Sequence, residues 1–213
     1  MTELWSDLRG LLGKTELIAK DLEFFSTISI CNTYISNTAY RPIPFLTRYD
    51  KTGANRFFSK TINSTETVPR LLSMLLAKYV DSTASRADGP SQGDGGKEPL
   101  CVTFAQLGPD VGGFQDTLHG GVMASLLDES IGLCAEAYRE FVAKDSLSRL
   151  YTANLEISYR APVPAPGILV IETWLKKKEG RKYFLEARVL SENGNVMVEA
   201  KSLYISARSP AAL

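Results

Sequence analysis

The stretch His119–Glu129, with its continuation to about Tyr138, most constrains what this chain can fold into. His119-Gly120-Gly121 reads as a glycine-rich turn opening straight into a helix. Val122, Met123, Leu126, Leu127, Ile131 and Leu133 cover most of the helix, and the remaining strip (Gly121, Ala124, Ser125, Gly132) is small. A helix apolar on nearly all sides has to be buried, so other elements must wrap around it. The N–H groups at its start, with the positive end of the helix dipole behind them, suit a phosphate or a developing oxyanion. Asp128 follows a little over two turns later on the small-residue face.

The elements that wrap are legible on both sides. After the helix the pattern changes to period two, and Tyr151–Tyr159, Ile168–Lys178, Lys182–Ser191 and Val196–Ala207 read as four long strands forming an antiparallel meander. Their connections are short, and Asn193-Gly194 is a hairpin signal. Before the helix, Leu100–Leu107 reads as a strand leading to a glycine turn at Gly108–Gly113. Leu71–Val80 has the Leu, Met and Ala content of a helix. Residues 1–25 suggest two short helices broken at Gly10 and Gly13, residues 31–56 an extended, proline-punctuated arm lying on something, and residues 81–99 a solvated loop. Strands on both sides of one apolar helix describe an α+β fold, a curved antiparallel sheet around a central helix.

Composition narrows the function classes. With 24 basic and 24 acidic residues, the formal net charge is zero, which argues against nucleic acid as a partner. One histidine excludes zinc chemistry built on paired histidines, and the three scattered cysteines suit buried thiols in a reducing compartment rather than disulfides or a metal site. No metal and no cofactor are expected. No apolar run is long enough for a membrane span. The acidic residues Glu3, Asp7, Glu16 and Asp21 argue against a secretory signal or an Arg-rich transit peptide, so a cytoplasmic location is expected, with a mitochondrial one left open.

Phe114–Gly132, containing His119-Gly120-Gly121 and Asp128, followed by Thr152-Ala-Asn-Leu-Glu-Ile-Ser-Tyr-Arg-Ala-Pro162, resembles the hotdog-fold acyl-CoA thioesterases. The subgroup it most resembles is the phenylacetate-pathway type of the 4-hydroxybenzoyl-CoA thioesterase superfamily. The resemblance implies a hotdog domain over 65–208 and an N-terminal helical and extended extension over 1–64. It also implies that Thr67–Lys78 is the first strand of the sheet, against its helical composition. The activity implied is hydrolysis of an acyl-CoA to free acid and CoA. Gly120 would donate its N–H to the thioester carbonyl, Asp128 would act as nucleophile or as base for water, and Thr152 would help place the water or carboxylate. His119 belongs to the same catalytic group, chiefly by fixing the turn through a backbone hydrogen bond. Leu118, Gly121 and Arg160 are expected to bind substrate. Where some relatives carry an Asn six residues before the histidine, this chain has Gly113. The alternatives are a hotdog hydratase or dehydratase, and a non-catalytic acyl-binding protein.

Gly120 and Asp128 lie eight positions apart on one helix, roughly 12 Å along its axis. A carbonyl within ~3 Å of the Gly120 N–H cannot also meet Asp128 of the same chain. A two-fold homo-oligomer with antiparallel helices, a dimer or dimer of dimers, brings the two together, and the small strip permits the approach. Glu129, ~100° further round the helix, reads as structural, and Cys134 as core.

Overall fold

The computed structural model describes residues 15–50, 53, 55–80, 98–143 and 149–208. The helix expected before Gly13 and nearly all of the loop expected over 81–99 lie outside these residues. The architecture is a hotdog fold: a seven-stranded antiparallel sheet curved around one long helix. In chain order, helices α1 (Ala19–Ser26) and α2 (Ser29–Ile35) precede strand β1 (Tyr40–Pro44) and strand β2 (Arg70–Leu76). Strand β3 (Cys101–Leu107) leads through a small hairpin, β4 (Gly112–Phe114) and β5 (Thr117–Leu118), to the central helix α3 (Gly120–Tyr138). Strands β6 (Leu150–Tyr159), β7 (Gly167–Glu179), β8 (Lys182–Ser191) and β9 (Val196–Ser206) complete the sheet in the order β1-β2-β3-β7-β8-β9-β6.

Two sequence expectations change here and a third is met in part. Arg70–Leu76 is a strand, as the resemblance implies and against its helix-forming composition, but it is shorter than Thr67–Lys78, helix begins at Ala77, and Tyr40–Pro44 precedes it in the sheet. It lacks alternation because both its faces are covered: Leu71, Leu72, Met74 and Leu75 are all buried, and a strand buried on both sides reads as a continuous apolar run. The one polar member, Ser73, is satisfied by a hydrogen bond to Thr103 of β3 at 3.0 Å.

The four downstream strands do not form a four-strand meander. β7, β8 and β9 do, joined by tight turns at Gly180 and Gly194, both with positive φ. β6 lies beyond β9, at the far edge of the sheet. Its connection to β7, Arg160–Pro166, carries three prolines and no two-residue hairpin turn, so the chain crosses rather than folds back.

The stretch 31–56 is more structured than an extended arm. It completes α2, and Tyr40–Pro44 pairs with β2 as the opposite edge of the sheet. Pro42 and Pro44 are tolerated because an edge strand has one side that needs no ladder hydrogen bonds.

The N-terminal helices pack on the outer face of the sheet. The Phe25 ring sits 5.5 Å from that of Phe104 in β3, and Asp21 pairs with Arg70 of β2 at 3.0 Å. Tyr34 of α2 donates to the buried carboxylate of Glu172 in β7 at 2.6 Å, and Arg188 of β8 takes the other oxygen. Two charge-assisted partners compensate burial of that carboxylate, which alone would be strongly unfavourable. On the inner face Met123, Leu126, Leu127, Ile131 and Cys134 of α3 meet the sheet and are fully buried. Truncating one of them, such as Leu127→Ala, costs about 2–5 kcal/mol.

Candidate active site

The helix start is built by its own cap. His119 has extended backbone (φ −63°, ψ 128°) and its Nδ1 accepts the Gly121 N–H at 3.0 Å. Its carbonyl accepts from Val122 at 3.0 Å and from Met123 at 3.1 Å, and its own N–H is held by the Val111 carbonyl. A helix leaves its first four N–H groups without intrahelical acceptors. Three of them are thus satisfied, and among the described residues the Gly120 N–H has no acceptor. Because Nδ1 accepts, the neutral ring carries its proton on Nε2. Gly113 is explained by the same cap: a Cβ there would lie 3.1 Å from the His119 ring and 3.0 Å from its Cα.

Gly120 opens onto a cleft of about 560 Å³ with Leu118, Met123, Phe114, Tyr159 and Val163 among its walls. It is largely apolar. Tyr159 reaches across from the end of β6 and donates to the Gly120 carbonyl at 2.7 Å, which ties the edge strand to the first helical turn. Arg160 also lines this cleft, but its guanidinium is paired with Glu199 through two contacts of 2.8 Å on the exposed side of the sheet. Phe114 is 84% exposed, an apolar ring at the cleft mouth.

Asp128 faces a different and smaller cleft, of about 170 Å³, lined also by Asn55, Glu129, Gly132, Glu136, Thr152 and Tyr204. Thr152 donates to Asp128 Oδ1 at 2.8 Å, and the Tyr204 phenol donates to the same oxygen at 2.7 Å. The structure therefore places Asp128 and Thr152 in contact. Gly120, Leu118 and Arg160 meet in the other cleft, and His119 and Gly121 are joined in the cap. Asp128 remains partly accessible, as do Gly121, Ala124, Ser125 and Gly132 on the same side of the helix. Glu129 points toward Thr47, and burial pushes its carboxyl up to about 7; the Thr47 hydroxyl works against that rise and the charge of Asp128 adds to it.

Two residues of this region were not singled out from the sequence. Tyr204 stands on the inward face of β9 in the run Val198, Ala200, Ser202, Tyr204, Ser206, every member of which is buried. A tyrosine on a buried face needs a partner for its hydroxyl, and that was the available signal. Tyr159 was part of the Tyr-Arg-Ala-Pro motif without a role of its own.

Chemically, the region offers a helix-terminal N–H beside an apolar cleft and a hydroxyl-bound carboxylate in another. Residues 115–198 match the family model described as thioesterase superfamily. Over 110 residues the chain is 36% identical to acyl-coenzyme A thioesterase THEM4 of Bos taurus, covering 52% of this chain and 39% of that protein. The Mus musculus protein of the same name is 34% identical over 109 residues, covering 51% and 44%. The chain thus spans less than half the length of these relatives. A crystal structure of a thioesterase superfamily protein superposes with a TM-score of 0.43 at 25% identity, covering 49% of this chain and 50% of that one. Among the described residues no helix is long and apolar enough to cross a membrane.

Proposed function

We propose that this protein hydrolyses acyl-CoA thioesters to the free acid and CoA, in a site shared between two copies of the chain. The observation that carries the reading is the division of labour along one helix. Gly120, with its N–H, and Asp128, with its carboxylate, open onto separate clefts, roughly 12 Å apart along the axis. Each cleft holds half of what acyl transfer needs. Antiparallel packing of two copies through the accessible strip Gly121, Ala124, Ser125 and Gly132 sets Gly120 of one beside Asp128 of the other. Among the described residues β6 pairs with β9 alone, so its outer edge, on a strand in contact with α3, is further surface for the contact.

In this reading the acyl group lies in the apolar cleft and its carbonyl oxygen accepts from the Gly120 N–H, backed by the helix dipole. Asp128 of the facing subunit supplies a negative oxygen, as nucleophile or as base for water. With Asp128 as base, water's oxygen bonds to the carbonyl carbon while its proton goes to the carboxylate, the C–S bond breaks, and the CoA thiolate takes up that proton. With Asp128 as nucleophile, its oxygen bonds to the carbonyl carbon as the C–S bond breaks, and a water then cleaves the mixed anhydride to the free acid, regenerating the carboxylate and supplying the proton to the thiolate. Thr152 holds the carboxylate, His119 and Gly121 keep the turn in shape, and Leu118 walls the acyl cleft. Arg160 exchanges Glu199 for a CoA phosphate. Within the superfamily we assign the chain to the phenylacetate-pathway type, on the quoted motifs, and to a dimer or dimer of dimers, on the antiparallel pairing above; a cytoplasmic location goes with this reading, with a mitochondrial one left open.

The test is free-thiol release over acyl-CoAs from acetyl to palmitoyl, aromatic ones included, with sedimentation of the same sample. Turnover of at least one class by a dimer or larger assembly is expected. An assembled protein that releases no thiol from any of them overturns hydrolysis; an active monomer overturns the shared site.

A further inference from the structure

The reaction as described leaves one buried group beside Asp128 unused, the phenol of Tyr204. Thr152 and Tyr204 are direct partners in the β6–β9 ladder, so their side chains project from the same face of the sheet, toward α3. The β6 ladder is irregular immediately after this pair, where Ala153 is passed over between Thr152 and Asn154. Such a bulge bends a strand and re-aims its side chains. Both hydroxyls end on one oxygen of one carboxylate, at 2.8 and 2.7 Å from Asp128 Oδ1. The phenol oxygen also lies 2.5 Å from the main-chain carbonyl oxygen of Asp128, so its single proton is shared between backbone and side chain of the same residue. Gly132, one turn further along α3, lies beside the phenol: a Cβ there would stand in ordinary contact with its oxygen, at 3.5 Å. Among the described residues Oδ2 accepts no hydrogen bond.

We propose that Tyr204 is a positioning residue of the hydrolytic site: with Thr152 it occupies Oδ1 of Asp128 and leaves Oδ2 as the oxygen that reacts. The inference rests on the reading of Asp128 as the catalytic carboxylate. Two donors on one oxygen fix the plane of the carboxylate. With Oδ1 held, rotation cannot exchange the two oxygens, and Oδ2 is presented in one direction to the facing subunit. Burial pushes the phenol well above its usual range, and the charge of Asp128 adds to the rise, so Tyr204 remains a neutral donor across the working pH range.

The experiment is Tyr204→Phe, which keeps the ring and its packing and removes the hydroxyl. A hydrogen bond to a charged group is lost, so kcat should fall about 10–100-fold, with KM little changed because the acyl cleft is elsewhere. Two hydrogen bonds to one oxygen make the two carboxylate oxygens inequivalent, and losing one changes the splitting between the antisymmetric and symmetric carboxylate stretches. That change should be seen in the infrared bands of the Asp128 carboxylate, identified by their loss in Asp128→Asn. A purely structural tyrosine would lower Tm and leave both the kcat of the assembled protein and the carboxylate bands in place, and that result overturns the proposal. The infrared measurement needs no turnover. If the wild-type protein releases no thiol yet the Asp128 bands shift in Tyr204→Phe, hydrolysis fails while the hydroxyl clamp stands. If hydrolysis is found and neither kcat nor the bands move, the clamp fails alone.

Discussion

Gly120→Pro removes a single hydrogen-bond donor from the proposed oxyanion site and little else. Gly120 is the first residue of α3, the position where proline is most readily accepted because that N–H has no intrahelical role. Proline also restricts the residue before it to extended backbone, and His119 already has φ −63° and ψ 128°. The three other N–H groups of the helix start, on His119, Gly121 and Val122, keep their acceptors. The nearest obstacle to a Cβ is the Tyr159 hydroxyl at 3.4 Å, the far end of a side chain at the cleft rim. Stability should therefore hold or rise slightly, since a glycine's unfolded-state freedom is reduced, by about 0.4–1 kcal/mol. Removing one oxyanion donor costs roughly 10²–10³ in kcat. The assay is thiol release by the purified variant, with Tm and sedimentation as controls. A second arm tests the shared site: Gly120→Pro and Asp128→Asn proteins are refolded together. A mixed dimer has one site with Gly120 from one chain and Asp128 from the other intact, and one site doubly impaired. Random pairing makes half the dimers mixed, so activity should recover to about one quarter of wild type. Full activity in assembled Gly120→Pro would remove this N–H from the mechanism, and no recovery on mixing would refute the division between chains.

Asp128→Asn keeps an oxygen for the Thr152 and Tyr204 hydroxyls but loses the charge; kcat should fall by roughly 10²–10⁴ with Tm nearly unchanged, and a large Tm loss with normal turnover would make Asp128 structural. Glu129, held at about 7 in the fold against an ordinary value of 4.5, binds more protons folded than unfolded between those limits. Its contribution is thus complete below pH ~4.5 and lost as pH rises through ~7, so Glu129→Gln should raise Tm at pH 8 relative to pH 5, by an amount worth about 1–2 kcal/mol after discounting for its partial exposure; a pH-independent difference would count against it. Tyr34→Phe removes a donor from the buried Glu172 carboxylate and should cost about 1–3 kcal/mol in denaturant unfolding without altering kcat. Deleting residues 1–56 strips β1 from the sheet and takes the Phe25 and Tyr34 rings off Phe104, so that protein should aggregate or unfold; unchanged stability would show the N-terminal packing to be dispensable.

Much of the fold was legible because its signals are local. Apolarity on nearly every side of Val122–Leu133 demanded a wrapped helix, and that helix ends at Tyr138 as the pattern does. Period-two alternation located β6 to β9 within a residue or two; it is clearest in β8 and β9, where one face is inward and one outward, whereas β7 is buried on both faces from Leu169 to Thr173. The eight-residue interval from Gly120 to Asp128 fixed their separation before any coordinates, because a helix has one rise per residue. What failed to show was set by neighbours distant in sequence. Arg70–Leu76 became a strand because it pairs between β1 and β3 and is buried on both faces, with α1 packed against it, and none of that is in its composition. β6 went to the far edge because strand order depends on which ladder closes best around the helix, and alternation is the same at an edge as in the middle. Tyr204 met Asp128 across 76 positions of sequence through a ladder register with Thr152; a period-two pattern says that a residue faces inward, and only the packed sheet says what it faces.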